Sequence, residues 1–377
     1  MPIIKTEKLL RELVALPSVN PAFLPKGDSR AGERNVAEFL GATAANAGLE
    51  VSFQPVLPGR SNLFARLSPR GKMRQRILLA PHLDTVVAED SQFVPRIKDG
   101  RLFGRGACDT KGSVAAMMSA LCQLATKHQR PAETEIMFVG LIDEENAQAG
   151  SRALAAKGFS ADLAIVGEPT RLAIVTAHKG SLWLRIRTRG KSAHGARPEL
   201  GRNAIHSMAR IVHLLQTKYA AQLARKRHPL LGNATVSVGV ISGGTQANIV
   251  PDECTILVDR RTLPGETEAS VRQELNALLK SNHLQATHID DKQAPCLPLE
   301  TNTKNPLVRR FLQSTGQRRP AGVNYFCDAA VLAQNGIPSV AFGPGDIAQA
   351  HTADEWIALN SLERARAMLL KFFSSLP

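Results

Sequence analysis

Aromatic residues are scarce in this sequence: its 377 residues include 13 Phe, 2 Trp and 2 Tyr. This small number of aromatic rings argues against a surface that binds nucleic acid by stacking on its bases. No run of about 18 apolar residues occurs, which excludes a conventional transmembrane helix and predicts no membrane partner. Charged residues stand where a signal peptide would need an apolar stretch, namely Lys5, Glu7, Lys8, Arg11 and Glu12.

Cysteines are few and lack the spacing of a metal-binding or redox pair. Five occur, at positions 108, 122, 254, 296 and 327, and no two form a Cys-x-x-Cys motif. An odd number without such a pair argues against a disulfide framework and against a thiolate zinc site. We therefore expect a protein of the reducing cytoplasm.

Acidic residues are outnumbered: 47 Lys and Arg against 33 Asp and Glu give a formal net charge of +14. This excess has four explanations: a nucleic-acid partner, an acidic membrane surface, an acidic substrate or a basic host proteome. The densest cluster, Arg225-Lys226-Arg227-His228, is typical of a solvated loop or helix end. Together with the shortage of aromatics, this predicts no nucleic-acid partner.

The chain is longer than the roughly 250–300 residues at which one hydrophobic core stops growing, so two domains are expected. Short apolar runs at 77–80, 135–141 and 163–166 alternate with helical periods at 33–47 and 111–124. Such alternation predicts an α/β domain with a doubly wound, mostly parallel sheet.

Residues 180–290 follow a different pattern. Strands at 182–187, 234–241, 254–260 and 284–288 and helices at 202–217 and 267–280 give the order β-α-β-β-α-β, which is typical of a ferredoxin-like α+β sandwich. Helices at 305–315 and 361–375 and a strand at 338–342 then resume the first pattern. We predict a discontinuous domain at 1–179 and 291–377, with an inserted domain at 180–290.

Imidazole and carboxylate groups follow several predicted strands directly. The strand at 77–80 runs into His82 and Asp84, whose spacing suits a metal-ligand His held by a carboxylate, although a turn with a capping Asp fits equally. Asp109 precedes the helix at 111–124, a position also typical of an N-cap. Other groups in such positions are Glu144, Glu145, Glu168 and His351.

The carboxyl ends of parallel strands meet at the edge where open α/β sheets bind ligands. Each of these groups alone is more often structural, but together they form a set of metal ligands. Hard oxygen ligands mixed with imidazole suit Zn²⁺, with Co²⁺ or Mn²⁺ as chemical substitutes. Two metals that share one carboxylate are the usual co-catalytic arrangement.

These segments resemble the co-catalytic zinc amidohydrolase and peptidase family of acetylornithine deacetylase, succinyl-diaminopimelate desuccinylase, aminoacylase and glutamate carboxypeptidase. The resemblance covers nearly the whole chain. It rests on His-x-Asp-Thr-Val at 82–86, Gly-Arg-Gly-x-x-Asp-x-Lys-Gly at 104–112, Glu-Glu at 144–145, Gly-Glu-Pro-Thr at 167–170 and the histidine at 351. The 180–290 segment is similar to the family's dimerisation or lid domain.

The resemblance implies a metal-dependent hydrolase with two zinc ions per subunit. Its metal ligands would be His82 and Glu168 for one ion and Glu145 and His351 for the other, with Asp109 as the bridge. Asp84 would orient His82, and Glu144 would be the general base in the cleavage of an amide bond.

The inserted domain would complete the site in a homodimer. His194, in the segment 191–195, matches a histidine that reaches a neighbouring subunit's active site and binds the developing oxyanion; a surface histidine is the alternative. Asn248 and Arg260 match the family's contacts to the substrate carboxylate. For Arg260 a surface charge at a strand end is the alternative.

The segment that begins at Gly343 resembles the acetylornithine deacetylase form, and Gly343 is a candidate substrate contact. At 327–329 the chain has Cys-Asp-Ala where many relatives have Ser or Thr before the acid, which leaves the acyl preference open. The expected substrate is an N-acyl amino acid. The alternatives are a desuccinylase, a dipeptidase or carboxypeptidase with the same site, and a non-catalytic binding protein on this scaffold.

Overall fold

A computed structural model describes residues 5–289 and 296–377 of the chain. Contacts between Cα atoms divide the chain into two units. The first comprises Met1–Thr176, Thr301–Ala321 and Cys327–Pro377, and the second comprises Ala177–Glu300 and Gly322–Phe326. The predicted junction between residues 290 and 291 lies outside the described residues. The other junction falls shortly before the predicted one at 179.

Helices and strands alternate through the first part of the chain. They are α1 (Thr6–Ala15), α2 (Arg34–Asn46), β1 (Glu50–Leu57), β2 (Arg60–Leu67), β3 (Gln75–Leu79), β4 (Arg96–Lys98), β5 (Arg101–Phe103), α3 (Lys111–Thr126), β6 (Thr134–Gly140), α4 (Ala149–Ala156), β7 (Leu163–Val166) and β8 (Val175–His178). The last of these strands carries the chain into the second unit.

The remaining elements follow in chain order. The second unit has β9 (Gly180–Arg189), α5 (Ala204–Leu214), a π-helical turn (Leu215–Tyr219), α6 (Ala220–Leu223), β10 (Arg227–His228), β11 (Gly232–Asn233), β12 (Thr235–Gly243), β13 (Glu253–Thr262), α7 (Glu268–Ser281), β14 (Thr287–Ile289) and β15 (Leu299–Glu300). The chain then forms α8 (Pro306–Ser314), β16 (Ala321–Val323), α9 (Ala329–Gln334), β17 (Ser339–Ala341), β18 (Trp356–Ala358) and α10 (Leu359–Ser374).

The sheet of the first unit has the strand order β1-β2-β6-β3-β7-β17-β8. Its four central strands, β6, β3, β7 and β17, are parallel, whereas β1, β2 and β8 are antiparallel to their neighbours. Strand β6 is buried along its whole length, as expected where helices cover both faces of a parallel sheet. The predicted α/β architecture is confirmed.

Helices cover both faces of this sheet. On one face α1, α2, α3, α8 and α10 enclose the main core, in which Leu13, Leu121 and Phe372 are fully or almost fully buried. On the other face α4 and α9 pack against each other and against strands of the sheet. Helix α8 begins where the Asn305 side chain accepts backbone N–H groups and Pro306 takes the first turn.

The second unit is the predicted α+β sandwich. Its antiparallel sheet has the order β12-β13-β9-β14, and the elements β9, α5, β12, β13, α7 and β14 follow each other as β-α-β-β-α-β. Buried and more exposed residues alternate along β13, so that one face packs on the helices. Leu184, Ile211, Ile256 and Leu275 are central to this core.

Within the described ranges, no helix combines the length and the apolar composition that crossing a bilayer requires. The four parallel strands of the first unit end at one edge of the sheet. The segments that follow β3, β6, β7 and β17 contain most of the candidate site residues, as the sequence predicts.

Candidate active site

Three of the predicted metal ligands lie close together in the first unit. His82 follows β3, Asp109 precedes α3 and Glu145 follows β6. One ligand atom from each of the three lies within 4.8 Å of the other two. His82 and Asp109 are buried. This grouping of an imidazole and two carboxylates can hold a divalent cation.

Asp109 lies between two histidines and presents a different oxygen to each. Its Oδ1 lies 3.2 Å from Nε2 of His82, and its Oδ2 lies 3.4 Å from Nε2 of His351. Nε2 of His351 is also 3.2 Å from the Glu145 carboxylate. A carboxylate with one oxygen toward each imidazole has the arrangement of a ligand shared by two metals.

Glu168 is the third acid among the predicted metal ligands. It is not one of the three residues grouped within 4.8 Å, but its environment fits a metal ligand. The side chain is buried, and among the described residues its Oε1 has no hydrogen-bond partner. Burial raises the pKa of Glu168 well above its usual range, and the charges of His82 and Asp109 act on it as well. A buried carboxylate oxygen without a donor is costly unless a proton or a cation satisfies it.

The carboxylates around the two histidines favour the protonated form of each imidazole. Hydrogen bonds to Asp109 and Glu145 raise the pKa of His351 to about 10. Burial opposes the protonation of His82, but the carboxylates of Asp109 and Asp84 outweigh it and raise the pKa of His82 well above its usual range. The surrounding acids thus provide the negative charge that a divalent cation would neutralise.

Glu144 is half-buried beside this group. Burial raises its pKa well above the usual range of a carboxyl group; the positive charge of His82 opposes this shift, and the negative charge of Glu168 adds to it. A carboxyl group with a raised pKa can both accept and return a proton near neutral pH, which is what a general base and acid requires.

Asp84 has a different set of partners from the one that the sequence predicts. Nδ1 of His82 lies 3.0 Å from the backbone oxygen of Asp84 but 3.6 Å from its carboxylate, which is too long for a hydrogen bond. The Asp84 carboxylate instead accepts the backbone N–H groups of Glu144 and Glu145, each at 3.1 Å. Asp84 therefore orients His82 through its main chain and the two acids through its side chain.

Glu355 is a site residue that sequence reasoning missed. It is buried at 1% exposure, and its carboxylate accepts the backbone N–H groups of Gly106, Cys108 and Asp109 at 2.8–3.0 Å. Arg105 pairs with the same carboxylate at 2.7 Å. The loop that leads to Asp109 is thus wrapped around one buried acid.

Asp328 is a second buried acid near the group. The Ser151 hydroxyl donates to its Oδ1 at 2.5 Å, while its Oδ2 has no partner among the described residues. Burial raises the pKa of Asp328 to about 6, and its charge acts on Glu144 and Glu168. The departure from the family pattern at Cys327 therefore lies next to an acid that is electrostatically coupled to the candidate site.

Gly343 packs against the segment that carries Glu168. A Cβ atom at this position would lie 2.1 Å from the Ser113 hydroxyl and 2.5 Å from the backbone oxygen of Glu168. Its N–H donates to the Thr170 hydroxyl at 3.1 Å. These contacts make Gly343 a buried packing position, and its predicted substrate contact stays a prediction.

His194 and Asn248 are neighbours on the surface of the second unit. The N–H of Gly195 donates to the Asn248 backbone oxygen at 2.7 Å, and both His194 and Asn248 are exposed. The N–H of Ala196 donates to Nδ1 of His194 at 3.1 Å. A neutral His194 ring therefore carries its proton on Nε2, which leaves an N–H donor for an external acceptor.

Arg260 is buried, so the alternative of a surface charge at a strand end is wrong. Its side chain is fully buried inside the second unit. Its Nε donates to the Tyr219 hydroxyl at 3.1 Å, its Nη2 pairs with Glu266 at 2.6 Å, and its Nη1 donates to the backbone oxygen of Arg261. Each of the three guanidinium nitrogens makes a hydrogen bond within the second unit, and the buried side chain is not accessible to a substrate carboxylate in this structure.

The sequence of the chain matches a known family over most of its length. Peptidase family M20/M25/M40 matches residues 78–375, and the chain belongs to this family. Acetylornithine deacetylase of Edwardsiella ictaluri is 33% identical over 379 residues, covering 96% of this chain and 95% of that protein. Acetylornithine deacetylase of Myxococcus xanthus is 33% identical over 322 residues, or 82% of each chain.

Solved structures have the same fold. Aminopeptidase PepT from Bacillus cereus superimposes with a TM-score of 0.76 at 24% identity, covering 99% of both chains. A dinuclear metal-binding peptidase of family M20 from Bacillus subtilis gives 0.72 at 15% identity, covering 98% of this chain and 96% of that one. The family match and the similar curated proteins confirm the prediction of a metallopeptidase or amidohydrolase enzyme.

Proposed function

We propose that this enzyme is a zinc-dependent amidohydrolase that removes the acyl group from an N-acyl amino acid, with a preference most like that of acetylornithine deacetylase. The observation that carries the proposal is the position of Asp109, with one oxygen toward His82 and the other toward His351. The names of the relatives from Edwardsiella ictaluri and Myxococcus xanthus support the substrate class.

The donor set fits two zinc ions. His82 and Glu168 would hold one, His351 and Glu145 the other, and Asp109 would contact both. Imidazoles and carboxylates without thiolates are typical of catalytic rather than structural zinc. Bound zinc supplies polarisation of an amide carbonyl and lowers the pKa of a water from 15.7 toward about 7.

Glu144 would move the proton in this reaction. Its carboxylate accepts the proton of the attacking water and returns it to the amide nitrogen, so that the acyl C–N bond breaks and a free amine and a carboxylic acid result. The hydrogen bonds from the Glu144 and Glu145 backbone to Asp84 keep the base beside the ligand set.

The second unit would supply the remaining groups. The Nε2–H of His194 would donate to the oxyanion that forms on the carbonyl, an interaction worth on the order of 10²–10³ in rate. The exposed Asn248 beside it would bind the substrate. A role for Arg260 requires its bonds to Tyr219 and Glu266 to open, and it stays a prediction.

A homodimer through the second unit would bring His194 to a partner's site. Strand β12 forms one edge of the sheet, and its sequence at 235–243 contains no charged residue. Val240 and Ile241 on this strand are 52% and 56% exposed. Natural sheet edges are usually protected by charge or proline, so an apolar unprotected edge supports pairing with a second copy.

The cytoplasm stays the predicted location. In the described part of the chain none of the five cysteines forms a disulfide.

A substrate panel tests the proposal. Purified protein is stripped with a chelator, supplied with Zn²⁺ or Co²⁺, and incubated with N-acetylornithine, other N-acetyl amino acids, an N-succinyl diamino acid and dipeptides, with amine release as the readout. We expect metal-dependent release from the N-acetyl amino acids. Cleavage of dipeptides alone would make the protein a peptidase, and no cleavage of any substrate would contradict the proposal.

A further inference from the structure

The turn that carries Glu144 and Glu145 is held by side chains from the amino-terminal part of the chain. The Asp84 carboxylate accepts the N–H groups of both acids at 3.1 Å. The Asn20 side-chain amide donates to Asp84 at 2.8 Å and to Asp143 at 3.0 Å. The Asn20 amide group thus connects Asp84, which binds the turn, with Asp143, the residue at which the turn begins.

Asp143 needs this support because its backbone is left-handed, with a φ of 67°. A non-glycine residue adopts this conformation at a cost, which its surroundings must offset. Its N–H donates to Glu33 at 3.2 Å, and its Oδ1 accepts from Nη1 of Arg60 at 3.1 Å. Arg60 also forms a bidentate pair with the Glu33 carboxylate, to which its Nε donates at 2.8 Å and its Nη2 at 2.5 Å. These bonds fix the direction in which the chain enters the turn.

Asn20 is held so that its amide nitrogen faces Asp84 and Asp143. It is fully buried, its backbone N–H donates to the Thr85 oxygen at 2.9 Å, and its Oδ1 accepts from the N–H of Ala22 at 3.0 Å. Without Asn20, the buried carboxylates of Asp84 and Asp143 would each lose a hydrogen-bond donor, and a buried carboxylate with fewer donors is destabilising. No apolar side chain can replace this donor.

We propose that Asn20, Glu33 and Arg60 are positioning residues for the active site. They act through Asp84 and Asp143 on the orientation of Glu144 and Glu145. This inference rests on the proposed function, because it assigns to the network the placement of the proposed base and of one proposed metal ligand.

The test compares full-length Asn20→Ala and Arg60→Lys with the wild type and with a matched control. Arg60→Lys keeps a positive charge near Asp143 but loses the bidentate hydrogen bonds to Glu33. Arg76→Lys is the control, because Arg76 forms a similar part-buried pair with Glu135 at 2.5 Å, at the opposite end of β3 and β6 from the site. Zinc affinity of the metal-stripped protein, Tm, kcat and KM on N-acetylornithine are measured for each.

We expect Asn20→Ala and Arg60→Lys to weaken zinc binding by about 10–100-fold, the usual effect of losing a group that holds a metal ligand. At saturating zinc, kcat falls while KM stays near the wild-type value, since the loss concerns the transition state. Arg76→Lys lowers Tm but changes neither zinc affinity nor kcat.

Lower Tm with wild-type zinc affinity and kcat in both Asn20→Ala and Arg60→Lys would overturn the inference and leave the network a purely structural one. If Asn20→Ala does not fold, Arg60→Lys decides the question alone. A wild-type protein that turns over no substrate would contradict the proposed function, whereas the zinc affinities would still decide whether the network positions Glu145.

Discussion

Glu355 accepts a hydrogen bond from the backbone N–H of Asp109 at 3.0 Å. The same carboxylate accepts the N–H groups of Gly106 and Cys108 and pairs with Arg105. Asp109, the proposed bridging ligand, therefore lies at the end of a loop whose backbone is hydrogen-bonded to Glu355, a buried acid from a distant part of the sequence.

Replacing Glu355 with Gln should disturb both the fold and the metal centre. The amide removes the charge that Arg105 faces, and breaking a buried pair typically costs about 3–5 kcal/mol in the free energy of unfolding. We expect zinc affinity to fall by about 10–100-fold. Denaturant unfolding and zinc titration measure the two effects. Glu363→Gln, which breaks a half-exposed pair with Arg366, is the control and should change neither by much.

Gly343→Ala should move the segment that carries Glu168. The added methyl group would lie 2.1 Å from the Ser113 hydroxyl and 2.5 Å from the Glu168 backbone oxygen, so one of them must shift. We expect a loss of about 1–3 kcal/mol in the free energy of unfolding, as for overpacked interiors, together with lower turnover. Gly71→Ala, at an exposed position of the first unit where the methyl group comes no closer than 3.2 Å to another atom, is the control. Equal stability and activity in the two variants would refute this account of Gly343.

His178 should make the protein less stable in mild acid. Burial lowers the pKa of His178 to about 4, and its Nδ1 lies 2.9 Å from the Lys179 backbone oxygen. The unfolded chain binds a proton at this residue below about pH 6.5, whereas the folded protein does not until about pH 4, so stability falls as the pH falls through this window. The full contribution is about 3 kcal/mol.

His178→Asn keeps a side-chain N–H donor but cannot titrate in this range. Its free energy of unfolding should therefore fall less steeply than that of the wild type between about pH 6.5 and 4. Denaturant unfolding across this range compares the two proteins. Parallel curves would show that His178 is not responsible for the acid sensitivity.

Ile241→Lys should separate the subunits of the proposed dimer. The residue is 56% exposed on the edge strand β12, and a charge there opposes strand pairing. We expect a monomer by sedimentation and a loss of activity on the order of 10²-fold, the size of a lost oxyanion donor. Val94→Lys replaces another exposed apolar residue, in the first unit, and should leave both properties unchanged. A fully active monomer would contradict the proposed role of His194.

The sequence predicts the architecture well where hydrophobic patterns are strong. Strands β3, β6 and β7 each contain a run of three or four apolar residues, helix α3 is rich in apolar residues, and the strands of the second unit alternate in period two. The β1–β2 hairpin was not predicted because β1 has only one buried residue and contains Pro55. The Pro58-Gly59 pair between the two strands was the available signal.

The candidate site was predictable only where a motif marks it. His82, Asp109 and Glu145 stand next to strands and helices that local patterns reveal. Glu355 has no local signal, because its burial depends on a loop far away in the chain. From the sequence, Arg260 is either a surface charge or a group that binds the substrate carboxylate. Only the structure shows that its guanidinium nitrogens hydrogen-bond Tyr219 and Glu266.

The most direct test of the account compares the wild type with Glu144→Ala, both stripped and reloaded with zinc. Bound zinc and the rate of N-acetylornithine deacetylation are measured on the same samples. We expect unchanged zinc content and a rate lower by at least 10²–10⁴-fold, because the proton acceptor is lost while the proposed ligands remain. Wild-type activity in Glu144→Ala would contradict the assignment of Glu144 as the base, and with it the proposed mechanism.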